Sequence, residues 1–178
     1  MTLLFLHGAG AQVEDRGLAD AVGEAVGAEV SMPLLPEEDM SYAAWGAAVR
    51  RAFAAADRDD LLVAHSFGAS VLLRVLGEGS PGGGGRTPAR AVLLAMPDWG
   101  VDGWDVEDYA YDGPEPTTGL SLHHCEDDEV VPHTHLALHA ARLPSARTTL
   151  HPRGGHQFEG LAGVLAEDLR RTEASPRS

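Results

Sequence analysis

The sequence contains no lysine and only one cysteine, and each scarcity excludes a class of chemistry. All 13 basic residues of the 178-residue chain are arginines. The chain therefore has no amine side chain for a Schiff base with pyridoxal phosphate, and it lacks the lysine of a nucleotide-binding P-loop. The single cysteine, Cys125, cannot form a disulfide within the chain, which agrees with a reducing compartment.

Long apolar segments and an excess of positive charge are also missing. No apolar run approaches the roughly 20 residues that span a bilayer. The strand-like segment that begins at Thr2 is not preceded by a basic and apolar signal segment. The formal net charge of −14 disfavours non-specific binding to nucleic acid or anionic lipid. We therefore expect a cytoplasmic protein whose partner is a small molecule, and neither nucleic acid nor a membrane.

Apolar segments with strand and helix periodicity alternate along the chain. Alternation of this kind is typical of an α/β doubly wound, three-layer α/β/α sandwich with a mainly parallel sheet of about six strands. The patterns predict strands at 3–6, 28–32, 61–64, 89–96, 120–125 and 146–151, and helices at 14–26, 42–56, 67–76, 134–143 and 161–171, with Ser41 as the N-cap of the second helix. We predict one domain at 1–171, with a flexible loop at 79–88, a loop insert at 97–119 and a disordered tail at 172–178.

A strand, a serine and a helix follow one another without a gap at residues 60–76. The window Ala64-His65-Ser66-Phe67-Gly68 is a variant of G-x-S-x-G, in which alanine replaces the first glycine. In this motif a sharp turn exposes the serine hydroxyl at the end of a strand, and small flanking residues let strand and helix approach. Ser66 is therefore a candidate nucleophile, and the alternative is a serine that only caps a helix.

A serine nucleophile needs a base to take its proton and an acid to orient that base. Acids at 126–129 follow the strand at 120–125, and His156 follows the strand at 146–151 after two glycines. Both loops should lie at the carboxyl edge of the sheet, where ligands bind at the topological switch point. The residues alone leave Glu126, Asp127 and Asp128 open as the acid.

Four segments together resemble the α/β-hydrolase superfamily: HGAG after the first strand, AHSFGAS, DDEVVP and GGHQF. The resemblance covers most of the chain. In its size and its lack of an obvious cap domain, the chain is similar to the small serine hydrolases related to retinoblastoma-binding protein 9. The resemblance implies a minimal α/β-hydrolase fold with strand order 2-1-3-4-5-6. It also implies a cofactor-free serine hydrolase of small acyl substrates, with Ser66 as nucleophile, His156 as base and Asp128, four residues before Pro132, as acid.

The same comparison suggests which groups surround the reacting atoms. The backbone N–H groups of Ala9 and Phe67 are candidates for the oxyanion hole, because one follows His-Gly and the other begins a helix. Substrate contacts are predicted for His7, His65, Trp99 and Trp104, although both histidines could instead support the neighbouring loops. The acidic aromatic loop at 97–119 is either a short lid or pocket wall, or a solvated loop held down by its tryptophans.

Other chemistries have weaker signals in this sequence. Histidines concentrate around Cys125, but no metal-binding motif contains them, so we predict no metal and expect these histidines on the surface and in loops. Cys125 follows a strand without an elbow after it, which favours a packing role. Gly8 and Gly10 lack the third glycine of a dinucleotide loop. A non-catalytic ligand-binding or protein-binding member of the hydrolase fold remains the alternative.

Overall fold

Strands and helices alternate throughout the computed structural model, which describes residues 1–57, 59–79 and 90–171. The strands are β1 (Thr2–Leu6), β2 (Glu29–Ser31), β3 (Leu61–His65), β4 (Arg90–Leu94), β5 (Gly119–Cys125) and β6 (Arg147–His151). The helices are α1 (Glu14–Val26), α2 (Tyr42–Ala55), α3 (Ser66–Gly77), α4 (His135–Arg142) and α5 (Ala162–Arg170). Every predicted strand and helix is confirmed to within a few residues. The predicted loop at 79–88, apart from Gly79, and the predicted tail at 172–178 lie outside the described residues.

The six strands form one parallel sheet in the order β2-β1-β3-β4-β5-β6. The predicted fold class and strand order are therefore confirmed. The chain leaves β1 in one direction to form β2, then returns to form β3 on the other side of β1. This reversal is the topological switch point, where α/β sheets bind ligands beyond the carboxyl ends of their strands.

Apolar residues on both faces of the sheet form two layers of core. In β1, Leu4 and Leu6 face the layer that contains α2 and α3, whereas Leu3 and Phe5 face the layer with α1 and α5. Successive strand residues point to opposite faces, so a strand covered on both sides must be apolar at every position. That requirement explains the continuous apolar runs in β1, β3 and β4. Within the described residues, no helix is both long and apolar enough to cross a bilayer.

The second helix begins where the sequence predicts. The Ser41 side chain accepts a hydrogen bond from the N–H of Ala44 at 3.3 Å, which satisfies one of the unpaired donors at the start of α2. Trp45 and Val49, one turn apart, are fully buried on the face of α2 that packs against the sheet. The structure of α2 thus confirms both the predicted apolar face and the predicted N-cap.

Gly68 allows α3 to pack directly against the end of β1. A Cβ atom at this position would lie 2.3 Å from the backbone oxygen of His7 and 2.8 Å from that of Leu6. Both neighbours are backbone atoms, which cannot move aside as a flexible side chain can. The second glycine of the elbow is therefore required by close approach, as the motif implied.

We predict that Gly68→Ala destabilises the protein by about 1–3 kcal/mol, because the added methyl group overpacks the contact between α3 and β1. Gly17→Ala is the matched control. It lies in α1, where a Cβ would meet nothing within 4 Å. This change should stabilise the protein by up to about 1 kcal/mol through helix propensity. Urea unfolding of both variants measures the difference, and equal stabilities would contradict the close approach.

Candidate active site

Ser66 occupies a strained turn at the end of β3. Its φ angle is 52°, in the left-handed region, and it is the first residue of α3. Leu6 pairs with Ala64, so Gly8 lies beside Ser66, and a Cβ on Gly8 would be 3.5 Å from the serine Oγ. A non-glycine residue in this conformation needs support from its surroundings, and such residues concentrate at functional sites. The serine is half-buried at the switch point.

His156 is hydrogen-bonded to a buried carboxylate. Its Nδ1 lies 2.9 Å from Oδ2 and 3.1 Å from Oδ1 of Asp128. Because an ionised carboxylate can only accept a hydrogen bond, Nδ1 carries the proton. Nε2 is then the ring atom that can accept a proton from another group. The Asp128 side chain is fully buried, while the His156 side chain is 15% exposed. The ring thus has one nitrogen fixed by the acid and an edge that is accessible.

Asp128 remains ionised despite its burial. Burial raises the pKa of this carboxyl group. Hydrogen bonds from His124, His156 and the N–H groups of Val130 and Val131 lower it by more, so that the pKa lies well below its usual value. The two backbone donors lie 2.8 and 2.9 Å from Oδ1. The carboxylate is therefore charged at neutral pH and held in one orientation.

The three acids left open by the sequence occupy different positions. Asp127 accepts a hydrogen bond from the N–H of Gly155 at 2.8 Å, so it contacts the backbone before His156 and not the imidazole ring. The Glu126 side chain is exposed. Only the Asp128 carboxylate, among these three, contacts the ring of His156.

The segment that carries His156 packs against the residue before Ser66. His65 Nε2 lies 2.8 Å from the backbone oxygen of His156, and the two imidazole centroids are 4.5 Å apart. The hydrogen bonds of residues 1–57, 59–79 and 90–171 include none between Ser66 and His156. Such bonds are commonly long in unliganded enzymes and shorten when substrate binds.

The backbone donors predicted for an oxyanion hole lie on either side of Ser66. Phe67 is in the first turn of α3, where helix N–H groups have no partner within the helix. Ala9 is exposed and follows Gly8, which packs against the serine. The two segments come from β1 and β3, and the parallel pairing of these strands brings them together.

The predicted substrate contacts of His7 and His65 are corrected by the structure. Both side chains are completely buried. Nε2 of His7 accepts a hydrogen bond from Leu35 N–H at 3.1 Å, and its Nδ1 donates to the Gly8 oxygen at 2.7 Å. Both nitrogens of His65 are likewise occupied, by Asp15 and by the backbone of His156. These histidines support the surrounding loops, because no ring atom is available to a substrate.

The aromatic loop, residues 97–119, is packed against α3. The Phe67 ring contacts Trp99 and Tyr109 at centroid distances of 5.7 and 4.9 Å, and Trp99 contacts Trp104 at 4.9 Å. Trp99 Nε1 also donates to Ser70 Oγ at 2.9 Å. A cavity of about 10 Å³ remains beneath the loop, close to the minimum for one water molecule. The aromatic side chains therefore hold the loop against α3, and Trp104, at 38% exposed, is an accessible aromatic side chain of the loop.

The expectation that the histidines around Cys125 lie on the surface and in loops holds for His133, which is exposed, but is wrong for His123, His124, His135 and His139. Burial lowers the pKa of His135 and His151, and it lowers that of His139 to about 4. Neutral rings can donate or accept single hydrogen bonds inside the protein, as His139 Nε2 does to the Met96 oxygen at 3.1 Å. Seven of the nine histidines are buried: His7, His65, His123, His124, His135, His139 and His151.

Metal binding and a cysteine nucleophile are the two alternative chemistries of this chain. Within the described ranges, no three or more His, Cys, Asp or Glu side chains are arranged to hold a metal ion. Burial, together with the charges of Asp127 and Asp128, raises the pKa of the Cys125 thiol to about 12. The thiol is therefore protonated at neutral pH, which disfavours a nucleophilic role and agrees with packing.

Sequence reasoning missed Asp15 and Gln157. Asp15 is completely buried and bonds to Gly8, His65 and Gln157. Its signal was present, because it shares the buried face of α1 with Leu18 and Val22, where a carboxylate needs a partner. Gln157 had no such signal. A depression of about 550 Å³ also lies beside His156, lined among others by Asp127, Glu129, Val130, Arg153, Gln157 and Glu159.

The chain resembles several solved structures along most of its length. The ydeN gene product from B. subtilis is 17% identical, with 94% of this chain and 96% of that chain covered and a TM-score of 0.69. Alpha/beta hydrolase domain-containing protein 10 from mouse is 14% identical, with 94% and 87% covered and a TM-score of 0.72. The esterase domain of a Rhodothermus marinus protein is 14% identical, with 93% and 85% covered and a TM-score of 0.65.

The sequence matches no protein-family model, and no curated protein matches it. At these identities, the structural likeness concerns the fold. Six parallel strands, the strand order and the five helices all agree with that likeness. The chain therefore has the α/β-hydrolase fold.

Proposed function

We propose that this protein is a serine hydrolase that cleaves small ester or related acyl bonds through an acyl-enzyme. The observation that carries the proposal is the His156–Asp128 hydrogen bond of 2.9 Å at the same sheet edge as a serine with a φ of 52°. A strained serine and a buried ionised acid each cost folding free energy, so their presence together favours catalysis. The similar structures include a protein described as an esterase domain, which supports the same chemistry.

In this mechanism Ser66 attacks the acyl carbon while Nε2 of His156 takes the proton from its Oγ. Asp128 accepts the Nδ1–H of His156, so it fixes the tautomer that leaves Nε2 basic and stabilises the imidazolium that forms. The negative charge of Asp128 is already present at neutral pH, because its pKa is low. The acid therefore has no need to change its protonation during the reaction.

The carbonyl electron pair moves to oxygen as the Ser66–carbon bond forms. The N–H groups of Phe67 and Ala9 are the proposed donors to this oxyanion. When the intermediate collapses, the bond to the leaving group breaks and His156 gives its proton to that group. Water then attacks the acyl-enzyme with His156 again as base, which releases the acid and restores Ser66.

The surroundings of the proposed site favour a short acyl group and a neutral or cationic leaving group. The cavity that the described residues form beneath the aromatic loop is about 10 Å³, which is too small for a long acyl chain. The larger space lies on the His156 side, where Asp127, Glu129 and Glu159 line it beside one arginine, Arg153. Carboxylates at this position would repel anionic groups, most strongly at low salt.

The first test is labelling with a fluorophosphonate, which forms a covalent bond to an activated serine. We expect one adduct, on Ser66, because its strained turn and the His156–Asp128 pair at the same sheet edge are what an activated serine requires. Ser66→Ala should abolish labelling while the circular dichroism spectrum stays unchanged, and Ser70→Ala should be labelled normally. Peptide mass spectrometry locates the adduct. A folded wild-type protein without an adduct would support the non-catalytic binding alternative.

The second test separates the two neighbouring aspartates. Asp128→Asn should lower kcat by ~10⁴, because an amide no longer holds the imidazole in the required tautomer. Asp127→Asn should lower kcat by about tenfold or less, since its remaining oxygen can still accept the Gly155 N–H. Steady-state rates with p-nitrophenyl acetate provide the measurement. Equal losses would leave the acid unassigned, and the reverse order would identify Asp127 as the acid.

The third test is the length and charge of the acyl substrate. We expect kcat/KM to be higher for p-nitrophenyl acetate or butyrate than for palmitate, because the packed aromatic loop leaves no room for a long chain. Acyl-CoA should be a poor substrate at low salt, because its phosphates meet the acidic depression. Initial rates across this series decide the point. A preference for palmitate or acyl-CoA would contradict it.

A further inference from the structure

The carboxylate of Asp15 joins three segments that surround the proposed site. Its Oδ2 accepts the backbone N–H of Gly8 at 2.8 Å and faces His65 Nδ1 at 2.8 Å. Its Oδ1 accepts Gln157 Nε2 at 2.9 Å. Gly8 precedes Ala9, His65 precedes Ser66, and Gln157 follows His156. One buried carboxylate on α1 thus contacts the sequence neighbours of Ala9, Ser66 and His156.

The His65 ring extends this connection. Its Nδ1 faces the Asp15 carboxylate, and its Nε2 faces the backbone oxygen of His156 at 2.8 Å. A carbonyl oxygen and an ionised carboxylate can only accept hydrogen bonds. Both ring nitrogens must therefore donate, which requires a positively charged imidazolium.

The protonation state of Asp15 agrees with this assignment. Burial raises the pKa of Asp15. Its hydrogen bonds with His65, Gly8 and Gln157 lower the pKa by more, so that it lies below its usual value. The carboxylate is thus ionised at neutral pH, and its side chain and that of His65 are each 0% exposed. Two opposite charges in contact satisfy the requirement that a buried charge be paired.

We propose that Asp15 and His65 form a buried ion pair that positions the groups of the active site. The pair holds the Gly8–Ala9 segment, the Ser66 turn and the backbone of His156 in one arrangement, although neither residue touches substrate. The role rests on the proposed function, because positioning has meaning only if Ser66 and His156 react. A purely structural role would affect folding but not the turnover of the folded protein.

The charge of His65 can be measured without any change to the ion pair. Nitrogen-15 NMR spectra that correlate ring nitrogens with ring protons distinguish a cationic imidazole from either neutral tautomer. We expect the wild-type protein to contain a cationic, buried ring whose signals are removed by His65→Asn. A neutral His65 ring would overturn the proposal, whatever the activity of the protein.

The kinetic test is Asp15→Asn, which changes one oxygen to an amide group with little change in volume. The amide cannot accept all three hydrogen bonds, and it leaves His65 without a counter-charge. We expect kcat to fall by roughly 100-fold, the size of loss that a small misplacement of reacting groups causes. KM should change by less than about threefold, because Asp15 contacts no substrate. The rate of fluorophosphonate labelling should fall with kcat.

Two further variants accompany this measurement. Gln157→Met removes one hydrogen bond to Asp15 and keeps the ion pair, so kcat should fall by roughly 3- to 10-fold while the His65 ring stays cationic. Asp20→Asn is the control, because Asp20 lies on the same helix but is exposed and paired with Arg16. It should leave kcat and KM unchanged.

The outcomes separate the positioning role from the proposed function. A cationic His65 ring, together with a lower kcat in a folded Asp15→Asn or Gln157→Met protein, supports the proposal. Folded variants that retain wild-type kcat overturn it and leave the serine hydrolase intact. If Asp15→Asn does not fold, Gln157→Met and the ring measurement decide. A wild-type protein that is not labelled on Ser66 overturns the proposed function and, with it, the positioning role.

Discussion

The close contact between the end of β1 and the start of α3 is the constraint on which the rest of the site depends. Parallel pairing of β1 with β3 places Gly8 beside Ser66, and Gly68 lets α3 approach the backbone oxygens of Leu6 and His7. A side chain at Gly68 would force these segments apart, and one at Gly8 would press on the Ser66 side chain at 3.1 Å. The left-handed turn at Ser66 exists because the chain must leave the sheet within one residue to fit this contact.

Buried polar contacts hold together the loops at this edge of the sheet, where apolar packing ends. Asp15 connects α1 with Gly8, His65 and Gln157, and Asp128 connects the segment after β5 with His156. In a chain without lysine, histidine is a frequent partner of these buried acids. Its ring can donate to a carboxylate while neutral or charged, and it has few rotatable bonds to order. Among the buried histidines, His65, His123 and His124 contact carboxylates within 3.2 Å in this way.

The aromatic loop packs against the first turns of the helix that begins at Ser66. Its rings pack edge to face against Phe67, the residue after Ser66, so the same side chain belongs to the core and to the wall of the proposed site. Edge-to-face contacts between aromatic rings are favourable and rigid. A depression of about 550 Å³ lies instead beside His156.

The sequence by itself determined the alternation of strands and helices, because apolar periodicity directly records which faces of each element are buried. With the resemblance to the α/β-hydrolases, it also led to the strand order and to Ser66, Asp128 and His156 as candidates. Only the tertiary structure decided the roles of the histidines, since periodicity does not report which partner a polar side chain meets inside the fold. His7 and His65 support the neighbouring loops through hydrogen bonds to Leu35, Asp15 and His156. These partners lie far from the two histidines in the sequence. Such partners become neighbours only when the strands and helices assemble, so no local pattern could have assigned Asp15 its three contacts.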